Sequence, residues 1–326
     1  MRRIVVLAND DGDEGSGASA DVCEVLESGS LIAASLAASG RFETRFELVK
    51  TLTDVRRIVA EQRPAGVFNL VESLHKSTAF ESAVAYMLEQ EGIPFTGSSS
   101  ITLRNCLDKG WSTYLLNQAG VSVPRTEIWR TVRSGEDVPL PAIVKPLRTD
   151  ASIGITKDAV ARDVFALRRR AGEVIEEFGG VALIQEFVDG REINVGFLGN
   201  EPPISLPLRE IDFSQFPVGL PRIVTYDAKW TPESLEYEGT SSEIANLSDE
   251  EQRAIVHTAR RAFLTLGMRD YGRVDIRVDK AGRPHVIDLN ANCDLNPDAG
   301  FMRSCELAGM DHPEVVNRIM DMALAR

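Results

Sequence analysis

"GRVDIRVDKAGRPHVIDLNANCD", residues 272–294, reads as two short strands around a tight turn at Lys280-Ala281-Gly282-Arg283. An antiparallel register about that turn sets Arg273 opposite Asn290 and Asp275 opposite Asp288. Alternation then sends Val274, Ile276, Val278, Ile287 and Leu289 to one side as core, and Arg273, Asp275, Asp288 and Asn290 to the other. Two carboxylates facing each other destabilise a strand pair unless a cation sits between them. The wet face of a half-buried hairpin accounts for any one of these residues. The four together form a hard-oxygen cluster that suits Mg²⁺, and Mg²⁺ with so few protein ligands usually carries phosphate as well. The planar fork of Arg273 suits a phosphoryl group in transfer.

A phosphate site needs cations and exposed backbone N–H groups. "AIVKP" sets Lys145 at a strand end, and "TDASIGIT" follows as a loop of small and polar residues able to cover a polyphosphate. Lys109 begins a helix in "LDKGW", and Lys229 lies in "YDAKW". A single lysine is most often a solvated charge; Lys145 departs from that because it follows an apolar run and precedes Pro146. In "LIQEFVDGREINVGFLGN", a strand ending Gln185-Glu186-Phe187-Val188 offers what an adenine ring uses, and Glu192 after the Gly190 turn can accept from ribose hydroxyls. Strand, turn and strand is the plainer reading of that stretch.

The rest of the chain bounds these readings. Its 326 residues, 43% apolar and 26% charged, suffice for two or three sub-domains with their own cores. Residues 1–98 alternate strand and helix as a doubly wound lobe, from "RRIVVLA" to the short strand "IPFTGS". Residues 99–187 and 188–326 follow as two further units, the last ending in two helices. The first strand ends in "NDDGDEGSG", which is not a dinucleotide loop: the glycine spacing is wrong, and Asp10, Asp11, Asp13 and Glu14 would repel a pyrophosphate. It is either a solvated turn or an acidic rim that attracts an ammonium group. Cys23, Cys106, Cys293 and Cys305 are scattered, so neither zinc site nor disulfide framework is indicated. A net charge of −13 argues against nucleic acid or anionic membrane as partners. No apolar run could cross a bilayer or serve as a signal-peptide core, so a cytoplasmic protein is expected.

Taken together, these segments resemble the ATP-grasp superfamily, and most closely its D-alanine–D-alanine ligase family. The resemblance is carried by "GIPFTGSSSITLRNCLDKGWSTYLLNQAGVSVP", "AIVKPLRTDASIGITK", "QEFVDGREINVGFLGN", "YDAKW" and the opening hairpin, over residues 66 to 310 or so. It implies a Rossmann-like lobe (1–98) followed by a central (99–187) and a C-terminal (188–326) ATP-grasp subdomain, an α/β fold with α+β character in the latter part. It also implies ATP between two antiparallel sheets. Lys109 and Lys145 would hold phosphates, Gln185, Glu186 and Val188 adenine, and Glu192 ribose. Lys229 would approach the γ-phosphate and Ser152 would lie in the phosphate loop. Asp275, Asp288 and Asn290 would bind two Mg²⁺ ions, with Mn²⁺ as a substitute. Family members carry Glu more often than Asp at position 288.

The implied chemistry is an amide-forming, ADP-forming ligation of small-molecule amino-acid or amine substrates: a carboxylate attacks the γ-phosphorus, and an amine displaces phosphate from the acyl phosphate. The substrate side departs from the family pattern. Ala151 replaces the first of two loop serines, Trp230 an aromatic hydroxyl, and Ala299 a serine that would hold the acceptor's carboxylate. Asp294 and Asp298 are added nearby, Asp21 falls where a substrate-amine carboxylate is expected, and His75 near the family's histidine without its Gly-Glu-Asp-Gly. The expected acceptor is therefore cationic or amine-rich and not simply D-alanine. Three alternatives stay open: a true D-alanine–D-alanine ligase with an unusual pocket, a catalytically silent ATP-binding protein, and a kinase acting on a hydroxyl. A homodimer through the amino-terminal lobe is also open.

Overall fold

The computed structural model describes the backbone of residues 1–12 and 20–326 and the side chains of residues 1–12 and 25–326. Strand and helix alternate at first: β1 (Arg2–Asn9), α1 (Ala20–Ala38), β2 (Phe42–Val49), α2 (Leu52–Gln62), β3 (Gly66–Leu70) and α3 (Ala79–Gln90). β1 is central in a parallel sheet of order β2-β1-β3. Its apolar run is covered on both faces, as parallel strands require: Ile4 and Val6 enter one core cluster, Val5 and Leu7 another. The expected strand "IPFTGS" reduces to a single parallel bridge between Val67 and Phe95. Pro94 has no N–H to extend a ladder, and Gly97, at φ 85°, turns the chain away.

The next unit comprises α4 (Ser100–Leu107), α5 (Lys109–Gln118), β4 (Thr126–Trp129), β5 (Ala142–Pro146), β6 (Val160–Ala161), α6 (Val164–Glu177) and β7 (Ala182–Glu186). Its strands form an antiparallel sheet of order β4-β7-β5-β6. Leu167, Ala171 and Val174 of α6 pack on Trp129, Val144 and Ile184, which leaves Ile143, Lys145 and Gln185 toward a cleft.

The last unit holds β8 (Arg191–Leu198), β9 (Ile204–Ser205), β10 (Arg209–Asp212), α7 (Tyr226–Trp230), α8 (Leu235–Glu238), β11 (Ser241–Ile244), α9 (Asp249–Thr265), β12 (Tyr271–Val278), β13 (Pro284–Asn290), α10 (Gly300–Leu307) and α11 (His312–Leu324). Its sheet runs β11-β10-β8-β12-β13, with β9 beside β8. The apolar stripe of α9, Ile255, Ala259, Ala262, Phe263 and Leu266, is buried in the same cluster as Val195, Val274 and Ile276. Its end is set by Gly267 at φ 71°.

Two expectations are corrected here. Arg273 pairs with Asn290 and Asp275 with Asp288 as expected, but a bulge follows, and Ile276 pairs with Val286. Ile287 is the extra residue, so Val286 enters the core and Ile287 turns into the cleft. Second, the terminal helix belongs to the first sheet as much as to the last unit. Val316, Ile319, Met320 and Ala323 of α11 share a cluster with Ile4, Val6 and Phe68, so the chain's end covers the face that α1 only partly covers. No helix among the described residues is long and apolar enough to cross a membrane.

Candidate active site

The two antiparallel sheets face each other across a cleft of about 310 Å³, lined from one side by Lys145 and Gln185 and from the other by Glu192, Asp275 and Asp288. The strand register explains the second wall. Asp288 lies opposite Asp275, Asp275 opposite Asn194, and Asn194 opposite Arg209, so one row of side chains crosses four strands.

The facing carboxylates are each met by a cation of the chain. Arg273 donates from Nε to Asp275 Oδ1 at 2.7 Å and from Nη2 to Oδ2 at 2.9 Å, and Lys109 Nζ lies 3.7 Å from Asp288 Oδ1. Asn194 and Asn290 donate to the two oxygens of Asp275 at 2.8 and 3.1 Å. Burial works against the charge of Arg273, yet Asp275 overcomes it and raises the guanidinium's pKa. Lys109 behaves likewise: burial opposes its charge, and Asp288 and Asp150 raise its pKa. Among the described residues no three His, Cys, Asp or Glu side chains converge as a metal cage. The donor set at this row is two carboxylates and one amide, hard oxygens in the number Mg²⁺ takes from a protein when water and phosphate complete its shell.

The loop at 149–155 is held down at three points. Lys109 Nζ donates to Thr149 O at 2.6 Å, Ser152 Oγ to Val224 O at 3.0 Å, and Trp230 Nε1 to Ala151 O at 2.9 Å. Ala151 and Ser152 both take positive φ, 53° and 61°, which costs free energy in residues other than glycine and is maintained by those contacts. The indole N–H of Trp230 thus meets a backbone carbonyl, which Ala151 supplies as well as a serine would. The Lys229 ammonium sits 5.0 Å from the Trp230 ring centroid. Its pKa is lowered, first by desolvation and then by Arg273. Lys145 Nζ donates to Gln185 Oε1 at 3.1 Å, and burial lowers its pKa in spite of Asp288.

At the far end, Gln185 is pinned to Thr126 Oγ1 at 3.2 Å. Glu186 N donates to Arg125 O, while the Val188 N–H makes no backbone hydrogen bond among the described residues, and Val188 lines the cleft. Glu192 is held by Arg277, Nη2 to Oε2 at 2.7 Å. Arg277 lies between the rings of Phe187 and Phe213, at 5.4 and 5.7 Å from their centroids.

The sequence reading missed Arg277 and Asn194, though alternation shows both: Arg277 is two residues past Asp275, and Asn194 two past Glu192. It also missed Glu81 of α3, which no local pattern marks. Glu81 Oε1 accepts from Asn292 Nδ2 at 3.2 Å, and burial, then Glu72 and Asp150, push its carboxyl well above the usual range. Several expected substrate contacts are not brought into the cleft. His75 is exposed and packs edge-on against Phe80, 5.7 Å between centroids, because the turn around it, with φ 54° at His75 itself, faces outward. Asp294 is exposed and its Oδ1 accepts from Asn296 N at 2.8 Å, so it caps its own loop. Asp298 is 98% exposed and ion-paired with Arg303 at 3.4 Å. The side chains of Asp21, Asp13 and Glu14 lie outside the described residues. Asp11 ties the loop after β3, its Oδ1 accepting from Lys76 N at 3.0 Å and its Oδ2 from Ser73 Oγ.

Residues 114–321 match the family model described as D-ala D-ala ligase C-terminus. The D-alanine–D-alanine ligase of Moorella thermoacetica is 30% identical over 92% of this chain and 94% of its own length. A Sinorhizobium fredii protein, uncharacterized protein y4sG, is 30% identical over 80% of this chain and 75% of its own. The crystal structure of D-alanine–D-alanine ligase from Bacillus anthracis complexed with ATP superposes with a TM-score of 0.77 at 20% identity, covering 100% of this chain and 98% of that one, a likeness of fold. With the family model matched over more than half its length and a relative of that identity along nearly all of it, the chain belongs to the D-alanine–D-alanine ligase family of ATP-grasp ligases.

Proposed function

We propose that the protein joins a carboxylate to an amine through an acyl phosphate, with ATP as phosphoryl donor, and that its acceptor is not simply D-alanine. The observation that carries the reading is the convergence of Lys109, Lys145, Lys229 and Arg273 with the Asp275–Asp288 pair in one cleft. Adenine binding has no use for that set, whereas phosphoryl transfer does, since its catalysis is positioning and charge neutralisation.

In this reading Gln185, Glu186 and Val188 hold adenine and Glu192, oriented by Arg277, the ribose. Lys109 and Lys145 hold phosphates, and the loop carrying Ser152 covers them and excludes water. The substrate carboxylate oxygen bonds to the γ-phosphorus, the bridging P–O bond breaks, and ADP departs. Arg273 and Lys229 neutralise the charge on the group in flight. The acceptor nitrogen then bonds to the acyl carbon as the C–O bond to phosphate breaks, and its proton leaves with solvent or phosphate. Asp275, Asp288 and Asn290 would hold two Mg²⁺ ions, whose chemistry is to offset charge on the phosphate oxygens. The shorter Asp288 keeps the charge of the family's Glu and leaves room beside Lys109.

Glu81, which faces Asn292 of the acceptor loop and whose carboxyl is pushed up by burial, would ionise against a positively charged amine on the substrate, whereas Asp294 and Asp298 are exposed. A true D-alanine–D-alanine ligase is the second reading, favoured by the family match. The experiment is to mix protein, ATP and Mg²⁺ with L- and D-amino acids singly and in pairs, reading phosphate release and product mass, with Asp275→Asn as blank. A product lighter than two substrates by one water is expected from a pair other than D-alanine with itself. Robust turnover with D-alanine alone would favour the second reading. A stable phosphorylated product would mark a kinase, and Mg·ATP binding without turnover in any pool a silent nucleotide-binding protein.

A further inference from the structure

Arg209 is 7% exposed and forms no ion pair among the described residues. Its guanidinium donates from Nε to Ser242 Oγ at 2.9 Å and from Nη2 to Ser242 O, which leaves Nη1 without a hydrogen-bond partner. Every other arginine of this sheet's catalytic face is matched: Arg273 by Asp275 and Arg277 by Glu192. The nearest acid on its own edge, Glu243, lies one residue from Ser242 in β11 and so on the opposite face, where it binds Ser241 Oγ. A guanidinium largely withdrawn from water with no carboxylate in contact is costly, and such a cost persists in a protein when a ligand supplies the counter-charge.

Its position says which ligand. Arg209 lies opposite Asn194, and Asn194 opposite Asp275, so Arg209 is two strand spacings, roughly 10 Å, from the phosphoryl-transfer row. Ser242, its tether, lines the same cleft as Asn194 and Gly300. Gly300 opens α10, and α10 is packed against this face: a Cβ on Gly196, two residues from Asn194, would come within 3.2 Å of Phe301. The N-cap of α10 is Ala299, which makes no side-chain hydrogen bond to the helix's free N–H groups. Desolvation, and then Arg303 one turn into α10, lowers the pKa of Arg209, and Glu243 opposes them only in part.

We propose that Arg209 is a specificity-determining residue that binds a carboxylate of the substrate lying between the phosphoryl-transfer row and the start of α10. The proposal rests on the ligase reading for the substrate's identity and on Arg209 alone for its charge. It replaces a hydroxyl at position 299 with a full counter-charge from the sheet, and it selects acids over plain amines. The carboxylate has two sources, the α-carboxylate of an amino acid or an acidic side chain.

Calorimetric titration separates them without turnover. Protein loaded with Mg²⁺ and a non-hydrolysable ATP analogue is titrated with DL-alanine, DL-alaninamide and DL-glutamate, in wild type, Arg209→Gln and Arg209→Lys. The expected result is binding of one or both acids, at least tenfold weaker in Arg209→Gln and partly restored in Arg209→Lys, with alaninamide indifferent to the substitution. Preference for DL-alanine over its amide marks the α-carboxylate as the bound group, and binding of DL-glutamate alone marks the side chain. Equal losses for acid, amide and nucleotide analogue would overturn the proposal, as would unchanged acid binding in Arg209→Gln or no acid binding by wild type. The ligase reading fails separately, by absence of amide product in the turnover assay while acids still bind through Arg209.

Discussion

Asp275 concentrates more of the site than any other side chain. Its two oxygens accept from Arg273, Asn194 and Asn290, and it faces Asp288 across the strand pair. Asp275→Asn keeps the shape, loses one charge of the facing pair and leaves Arg273 without its counter-ion; phosphate release is expected to fall by about a hundredfold or more, read at saturating ATP. Trp230 answers a different question. Its indole N–H reaches a backbone carbonyl, so what the loop gains is one hydrogen bond, worth about 1 kcal/mol net. Trp230→Phe keeps a ring for Lys229 but removes that bond. The expected outcome is a KM for ATP raised about fivefold with faster proteolytic nicking of the loop at 149–155, and an unchanged KM would show that Ser152 and Lys109 hold the loop alone.

The hairpin of β12 and β13 shows how much an element can specify locally. Asp279 closes its turn by accepting from the backbone of Ala281 and Arg283, both at 2.9 Å, and from Arg283 Nε at 2.8 Å. These bonds hold its pKa at about 2, below the ordinary 3.8. A depressed carboxyl contributes stability that is present above 3.8 and is lost as pH falls through about 2. Asp279→Ala is accordingly expected to cost about 1 kcal/mol at neutral pH, with the gap from wild type closing below 3.8 in acid titrations followed by circular dichroism. The register beyond the turn was readable because Arg273, Asp275, Asp288 and Asn290 make sense only on one face. The bulge was not, since Val286 and Ile287 are equally apolar and nothing in their chemistry tells which one the core takes.

The molecule as a whole is closed by its last helix. Met320 of α11 is fully buried, and its Cε lies where a Cβ on Gly66 would come within 2.8 Å, so the end of the chain packs directly on β3. Met320→Ala is expected to destabilise the protein by about 2–5 kcal/mol in urea unfolding; a loss below 1 kcal/mol or so would mean that the first sheet holds without that cover. Residue periodicity marked the strand–helix alternation of the first lobe, the stripe of α9 and the four polar residues on one face of the β12–β13 hairpin, because strand and helix periods act over a few residues and are written in the chain; the two antiparallel sheets followed only from the family resemblance. Which side chains finally meet required the fold. Glu81 with Asn292, Trp230 with Ala151, and Arg209 beside Asn194 are separated by 211, 79 and 15 residues, and Asp298 and His75 turned outward although their motifs lay in the right order. Local order sets which face a residue occupies; the distance between two faces, and the charge left unpaired between them, arise only when sheets and helices pack.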